Sequence, residues 1–299
     1  MTSKPSIFVV GAPKCGTTSL CAQLAAHPQV FFPAVKEPFF FGSDLSGRFA
    51  RPLEEYLRLY DAAADRRAAD GSVFYLRSEK AAREIRAFNP DARVLVLIRR
   101  PLEMMHSLHG QMLHNLDEDI ADFEQALAAE DERRAGRRIP DGCRHPYALA
   151  YTEMANYAPQ IRRYFEVFGR DRVWVHRFED LLQEPQEAWS SLTAFLGLED
   201  VPVRVRLLNP RSLPRSVWLK RFVRDERAQR VANKLVPFWW RAPLARLVER
   251  ANSRAIPRPT MSRALIDRLA GELEPEVRTL GNLLQLDLTD WIERPVTWQ

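Results

Sequence analysis

IFVVGAPKCGTTSL, residues 7–20, is the stretch whose reading decides the fold. Ile7, Phe8, Val9 and Val10 form a short continuous apolar run of the kind buried in a parallel sheet. Gly11 and Pro13 break that run. Gly16-Thr17-Thr18-Ser19 then opens an expected helix that continues through Leu20, Gln23 and Leu24. Strand, glycine-containing loop and helix N-terminus together make an anion cradle, because unsatisfied backbone N–H groups and the positive end of the helix dipole converge on one point. A phosphate or sulfate group is the expected guest.

The loop departs from the nucleotide-triphosphatase pattern GxxxxGK[ST] in the position of its cation. Gly11 and Gly16 keep the spacing, but Thr17 fills the lysine slot and Lys14 sits inside the loop. Lys14 is expected to reach the anion from the loop, with Thr17 and Thr18 adding hydroxyl donors at the first helical turn. On spacing alone, a simply solvated Lys14 stays open.

Outward from this loop, strand and helix patterns alternate. Residues 29–33 (QVFFP) suit a second short strand, and Pro52 to Ala69 reads as helical. Asp70 to Leu76 reads as a turn beside a short extended piece, and Ser78 to Phe88 as a helix closed by Asn89-Pro90. Arg93 to Ile98 is the best strand pattern in the chain and is expected to be central. It ends at Arg99-Arg100-Pro101, where a nucleotide triphosphatase would usually carry an Asp for Mg²⁺. Two arginines there favour a second anion site without a metal. Ser107 stands eight residues beyond Arg99, placed to share that anion. Further helices are expected over Asp122 to Arg134, Tyr147 to Phe168, Pro185 to Leu196 (ended by Gly197) and Met261 to Leu284, with Arg172 to Val175 as a third core strand. The alternation predicts a P-loop-like three-layer α/β fold, with a central parallel sheet, helices on both faces and ligands at the strand C-termini. No repeat or low-complexity linker divides residues 1–299, so one domain is expected.

Composition narrows the class. Hydrophobic residues make up 46% and charged residues 28%, ordinary for a soluble chain with a sizeable core. Cys15, Cys21 and Cys143 are odd in number and widely spaced, which excludes a disulfide framework or zinc signature and makes a reducing, cytoplasmic setting the default expectation. The N-terminus reads as no signal peptide, and no stretch reaches a membrane span. The net charge of +5 is uneven: residues 204–258 hold fifteen Lys and Arg against three acids. Within the expected domain, residues 203–260 therefore read as a basic helical lid or insert. Its charge suits an acidic ligand or a peripheral membrane contact. No nucleic-acid motif accompanies it, so a nucleic-acid partner is not expected.

Taken together, GAPKCGTTSL and VLVLIRRPLEMMHSL, supported by KEPFFF, WVHRFEDLLQEP, NPRSLPRS and an ending at Trp291, resemble the sulfotransferases that use 3′-phosphoadenosine 5′-phosphosulfate (PAPS). The likeness is to the bacterial branch similar to heparan sulfate sulfotransferases, and it covers nearly the whole chain. It implies an enzyme that moves a sulfuryl group from PAPS to a hydroxyl or amine of a carbohydrate or small-molecule acceptor, releasing adenosine 3′,5′-bisphosphate (PAP) without a metal. It also implies roles. Lys14 with Gly16, Thr17 and Thr18 would hold the 5′-phosphate and bridging oxygen, with Cys15 and Ser19 completing the cofactor-binding stretch. Arg99 and Ser107 would bind the 3′-phosphate, Glu37 would be the general base, and Arg215 would belong to a loop closing over the nucleotide. The chain departs from the pattern at Arg100, where the family usually has an acid, at Val73, where Pro is common, and at Asp70-Gly71.

Sulfuryl transfer is an in-line displacement that needs aligned reactants and a neutralised leaving phosphate, a task that falls to Lys14. Burial of Glu37 among Phe31, Phe32, Phe39, Phe40 and Phe41 is expected to raise its pKa toward that of a working base. The plainer alternative is an ion pair with Lys36 or a neighbouring arginine. His106 and His109 stand at helical spacing and are weighed as metal ligands, bases or acceptor-pocket residues. Cys15 is read as packing, or as a thiol activated by the helix N-terminus. The rival functions are a P-loop small-molecule kinase using ATP–Mg²⁺ and a non-catalytic anion- or nucleic-acid-binding protein built on the basic segment.

Overall fold

The structure is a computed structural model that describes residues 4–35, 37–46, 52–201, 212–214, 253–255 and 261–293. In chain order it runs through β1 (Ile7–Gly11), α1 (Thr17–Ala26), β2 (Val30–Phe31), α2 (Leu53–Arg58), β3 (Arg67–Asp70), α3 (Ala81–Phe88), β4 (Arg93–Ile98) and α4 (Pro101–Asn115). It continues with α5 (Phe123–Ala128), α6 (Glu130–Arg134), α7 (Tyr151–Ala155), α8 (Tyr157–Phe168), β5 (Val173–Arg177), α9 (Phe178–Gln183) and α10 (Pro185–Leu196). The short strands β6 (Ser212–Pro214) and β7 (Ser253–Ala255) precede α11 (Arg263–Leu284) and α12 (Asp290–Glu293).

The sheet is parallel throughout, with strand order β2-β3-β1-β4-β5. β1 is its centre, pairing Phe8 with Asp70 of β3 and with Val94 of β4. Every residue of β1 is buried, as the unbroken apolar run requires of a strand covered on both faces. Burying each such Val, Ile or Phe side chain contributes about 1.5–3 kcal/mol. From β1 the chain moves by α1 toward β2, whereas α3 and α8 cross in the opposite direction. Right-handed crossovers place these helices on opposite faces, and α3 accordingly packs against α8. The order reverses between β1 and β4, whose C-terminal ends therefore open a crevice where the following loops diverge.

Several expected boundaries move. Arg67–Asp70, read from sequence as the end of a helix, is a strand whose alanines sit in the core beside β1. Val73–Leu76 is a 3-10 turn rather than an extended piece, wedged against β1. The close approach explains Gly11: a Cβ there would lie 2.7 Å from Leu76 Cβ and 2.9 Å from the Val73 carbonyl. α3 begins at Ala81, not at Ser78, whose hydroxyl instead accepts from the Ala81 amide. The helix expected over 122–134 is two helices, and that expected over 147–168 is a 3-10 turn followed by α7 and α8. β4 is interior but not central, and β5 closes one side with its last three residues only half-buried. α10 matches its expected limits, ending where Gly197 adopts φ 65°. α11 packs against α4 and α8. The expected basic lid over 203–260 lies outside the described residues except for β6 and β7, which pair antiparallel and are strands where helix was expected. Among the described residues no helix is long and apolar enough to cross a membrane.

Candidate active site

The crevice between β1 and β4 brings the two sequence-predicted anion sites together. On the β1 side, Gly16 caps α1 in the left-handed region at φ 85°. A Cβ on Gly16 would lie 2.5 Å from the Phe178 ring, so both the conformation and the space require glycine. Lys14 is also left-handed, at φ 64°, which turns the loop over the helix N-terminus. Along the loop the side chains alternate: Lys14 and Thr18 are half-exposed, whereas Cys15, Thr17 and Ser19 are buried. Among the described residues, the structure shows no hydrogen bond from the Cys15, Gly16 and Thr17 amides, which leaves three successive N–H donors at the start of α1. The Ser19 amide, by contrast, donates to the Gly16 carbonyl at 3.0 Å. The Lys14 Nζ donates to Gln111 Oε1 of α4 at 3.1 Å, which ties the loop to the helix that leaves β4.

On the β4 side, Pro101 stands at the first position of α4 and keeps Arg100 out of the helical region at φ −41° and ψ 121°, so Arg99 and Arg100 stay at the strand end. Their side chains then part. Arg99 is only 9% exposed, packs over the Phe178 ring at 5.1 Å and donates from Nη2 and Nε to Glu103 Oε2 at 2.5 and 3.1 Å. Arg100 donates to the Asp290 carbonyl at 2.8 Å and sits 3.6 Å from Glu103 Oε1, so it tethers α12 and does not pair with Arg99 on one anion. Its amide donates to Glu179, whose carboxyl burial pushes upward from its usual pKa. Ser107 is half-buried, one turn of α4 beyond Glu103 and one before Gln111, so these three side chains share a helix face.

Phe178 is the residue that sequence reasoning missed. Its ring lies against Gly16 and under Arg99, joining the two cradles. Gln111 and Glu103 were also missed, although their spacing of four from Ser107 marks them in the sequence.

Cys15 is packing, not a reactive thiol. It is fully buried; burial pushes its pKa up to about 12, against the Tyr157 hydroxyl and the fields of Arg99 and Lys14, which lower it. At that value the thiolate fraction at pH 8 is about 10⁻⁴, and the helix N-terminus does not overcome desolvation. Iodoacetamide at pH 8 is therefore expected to label the half-buried Cys21 and Cys143 and to spare Cys15 until the protein is denatured. Peptide mass spectrometry showing early Cys15 labelling would contradict this burial.

Glu37 lies on the segment after β2, half-buried, with φ 56°, and Phe39 has φ 48°. Left-handed conformations of this kind cost about 1–3 kcal/mol each and persist only where the surroundings fix them. The expected ring of five phenylalanines around Glu37 is not what the aromatic run builds. Phe40 stacks on Tyr56 at 4.3 Å, Phe41 packs edge-on against Phe8, Tyr56, Tyr75 and Phe88, and Phe39 stacks on Phe74. The charge of Glu37 instead reaches Tyr147, whose hydroxyl pKa is raised by burial and then by that charge. His106 and His109 are buried, packed on Phe123, with His109 Nε2 2.8 Å from the Ile120 carbonyl. Both rings are thus part of the packing around Phe123. No group of three or more His, Cys, Asp or Glu is arranged to hold a metal among the described residues. Arg215 lies outside the described residues.

The family model described as the sulfotransferase domain matches residues 4–207. Carbohydrate sulfotransferase 15 of Rattus norvegicus is 24% identical over 65% of this chain and 44% of its own length. The bifunctional heparan sulfate N-deacetylase/N-sulfotransferase 1 of Caenorhabditis briggsae is 22% identical over 69% of this chain and 24% of its own. The chain thus spans less than half the length of these curated relatives. Among solved structures, a sulfotransferase from Alicyclobacillus acidocaldarius superposes with a TM-score of 0.71 at 26% identity, covering 97% of this chain and 99% of that one.

Proposed function

We propose that this chain, which belongs to the sulfotransferase domain family, transfers a sulfuryl group from PAPS to a hydroxyl or amine of a carbohydrate acceptor. The observation that carries the reading is the pair of cationic cradles at the C-terminal ends of neighbouring strands β1 and β4, joined by one aromatic ring. A nucleotide with phosphate on both its 5′ and 3′ positions has two anionic ends to satisfy, and this crevice has two places to satisfy them. The residues present fit that group: a nest of amides with Lys14 on one side, a guanidinium backed by Phe178 on the other.

In this reading Lys14 and the Cys15–Thr17 amides neutralise the phosphate that leaves as the sulfur–oxygen bond to it breaks. Arg99 and Ser107 grip the 3′-phosphate, and Gln111 holds the Lys14 ammonium toward α4 between turnovers. Glu37 accepts the proton of the acceptor group as its oxygen or nitrogen bonds to sulfur. The carbohydrate acceptor is drawn from the names of the relatives. No magnesium ion is assigned a task, because arginines occupy the strand end where an aspartate would carry it.

Thermal shift separates this from the phosphoryl-transfer alternative. PAP at 100 times its dissociation constant is expected to stabilise the fold by about 2.7 kcal/mol, with ATP–Mg²⁺ giving a smaller shift at equal concentration and EDTA leaving the PAP shift intact. A larger shift with ATP–Mg²⁺ would favour a kinase and overturn the reading.

A further inference from the structure

We propose that Asp70 is a positioning residue for the segment that carries Glu37, acting through the hydroxyls of Ser72 and Tyr75; the inference rests on the reading of Glu37 as the base. Asp70 ends β3 and is fully buried. Among the described residues it has no cationic partner. Its Oδ1 accepts from the Ser72 amide at 3.0 Å and the Ser72 hydroxyl at 2.6 Å, and its Oδ2 accepts from the Tyr56 and Tyr75 hydroxyls at 2.8 and 3.2 Å. Burial raises its pKa and these four donors act against that shift. A core carboxylate held by three hydroxyls and one amide, with no cation among the described residues, is a costly arrangement for stability, so the direction in which it points those hydroxyls is the feature to explain.

An ionised carboxylate only accepts hydrogen bonds, so Ser72 and Tyr75 must both turn their protons toward it. Their lone pairs are then left facing the other way, and three consecutive amides use them. The Phe39 amide donates to Ser72 Oγ at 3.0 Å, and the Phe40 and Phe41 amides donate to the Tyr75 oxygen at 2.8 and 3.2 Å. These bonds begin two residues after Glu37 and hold a stretch in which Glu37 and Phe39 are both left-handed. The aromatic rings of the same stretch anchor it as well, through Tyr56, Phe74 and Phe88. Asn at position 70 would place an NH₂ against Ser72 or Tyr75 and reverse that hydroxyl, setting its proton against a backbone N–H of the Glu37 segment. Asp70 thus fixes the polarity of a relay from the end of β3 to the proposed base, without itself reaching the reacting groups.

The test compares Asp70→Asn and Tyr75→Phe with the parent chain, using PAPS as the sulfuryl donor and N-desulfated heparan sulfate as the acceptor. Both variants are expected to lose kcat, by about 100-fold for Asp70→Asn because a displacement on the order of 1 Å at a reacting group has that effect. The KM for PAPS and the thermal shift with PAP stay at parent values, which general unfolding would not allow. Amide hydrogen exchange at Phe39–Phe41 accelerates, while exchange in α1 does not. In a Glu37→Gln background, Asp70→Asn lowers the residual rate no further, as expected if the two act as one unit. If Asp70→Asn does not fold, Tyr75→Phe carries the same comparison, since it removes only the hydroxyl. Parent-level kcat in both variants, or a full additional loss in the Glu37→Gln background, overturns the inference. Full activity of Glu37→Gln alone overturns the assignment of the base instead, so the two failures are told apart.

Discussion

Glu37→Gln is expected to lower kcat by about 10²–10⁴-fold, the usual contribution of a positioned general base, while PAP binding is unchanged. Gln keeps the length and volume of the side chain but cannot take a proton from the acceptor. The segment that carries Glu37 is held by backbone hydrogen bonds to Ser72 and Tyr75, which a change in the Glu37 side chain does not touch. The isosteric amide is therefore expected to leave the proposed nucleotide-binding residues in place. PAP titration by calorimetry with turnover measured in parallel checks the split. A variant with full turnover would show that another group takes the proton. The buried His106 and His109 are poor replacements, since their rings are packed on Phe123.

The second large effect belongs to Arg99. Arg99→Ala is expected to weaken PAP binding by about 10- to 100-fold, the equivalent of one charge-assisted hydrogen bond at 1.5–3 kcal/mol. The guanidinium is stacked on Phe178 and already oriented by Glu103, so little side-chain freedom is left to lose when an anion arrives. Truncation does not strand Glu103, because Arg100 remains 3.6 Å from its other oxygen. The variant is expected to fold. The diagnostic quantity is selectivity rather than affinity. The parent should prefer PAP over adenosine 5′-monophosphate, which lacks the 3′-phosphate, and Arg99→Ala should erase most of that preference while binding the monophosphate as before. Equal losses for both nucleotides would mean that Arg99 supports the fold of the crevice and does not read the 3′-phosphate.

Much of this architecture is written locally. The run Ile7–Val10 can only be satisfied by burial on both faces, and Gly11, Pro13 and Gly16 end it in a way that leaves amides pointing at one place. Pro101 likewise ends β4 and starts α4 without reference to anything distant, which is why the positions of Arg99 and Ser107 were legible. Gly197 stops α10 for the same kind of reason. Where the local signal was ambiguous, tertiary contact won. Arg67-Ala68-Ala69-Asp70 has no β-branched residue and continues a helical pattern, yet it pairs in parallel with β1 and β2, buries its last three residues and is a strand.

The sequence by itself determined the parallel α/β order, the glycine loop after β1 and the arginine pair after β4, because each depends on a few neighbouring residues whose backbone preferences are strong. The tertiary structure alone decided which groups face one another across the crevice. It divided Arg99 from Arg100, set Phe178 between Gly16 and Arg99, buried the Cys15 thiol beside Tyr157, and turned the aromatic run after Glu37 into an anchor. Those outcomes depend on side chains far apart in the chain that compete for the same space and the same hydrogen bonds, and no local spacing encodes who wins.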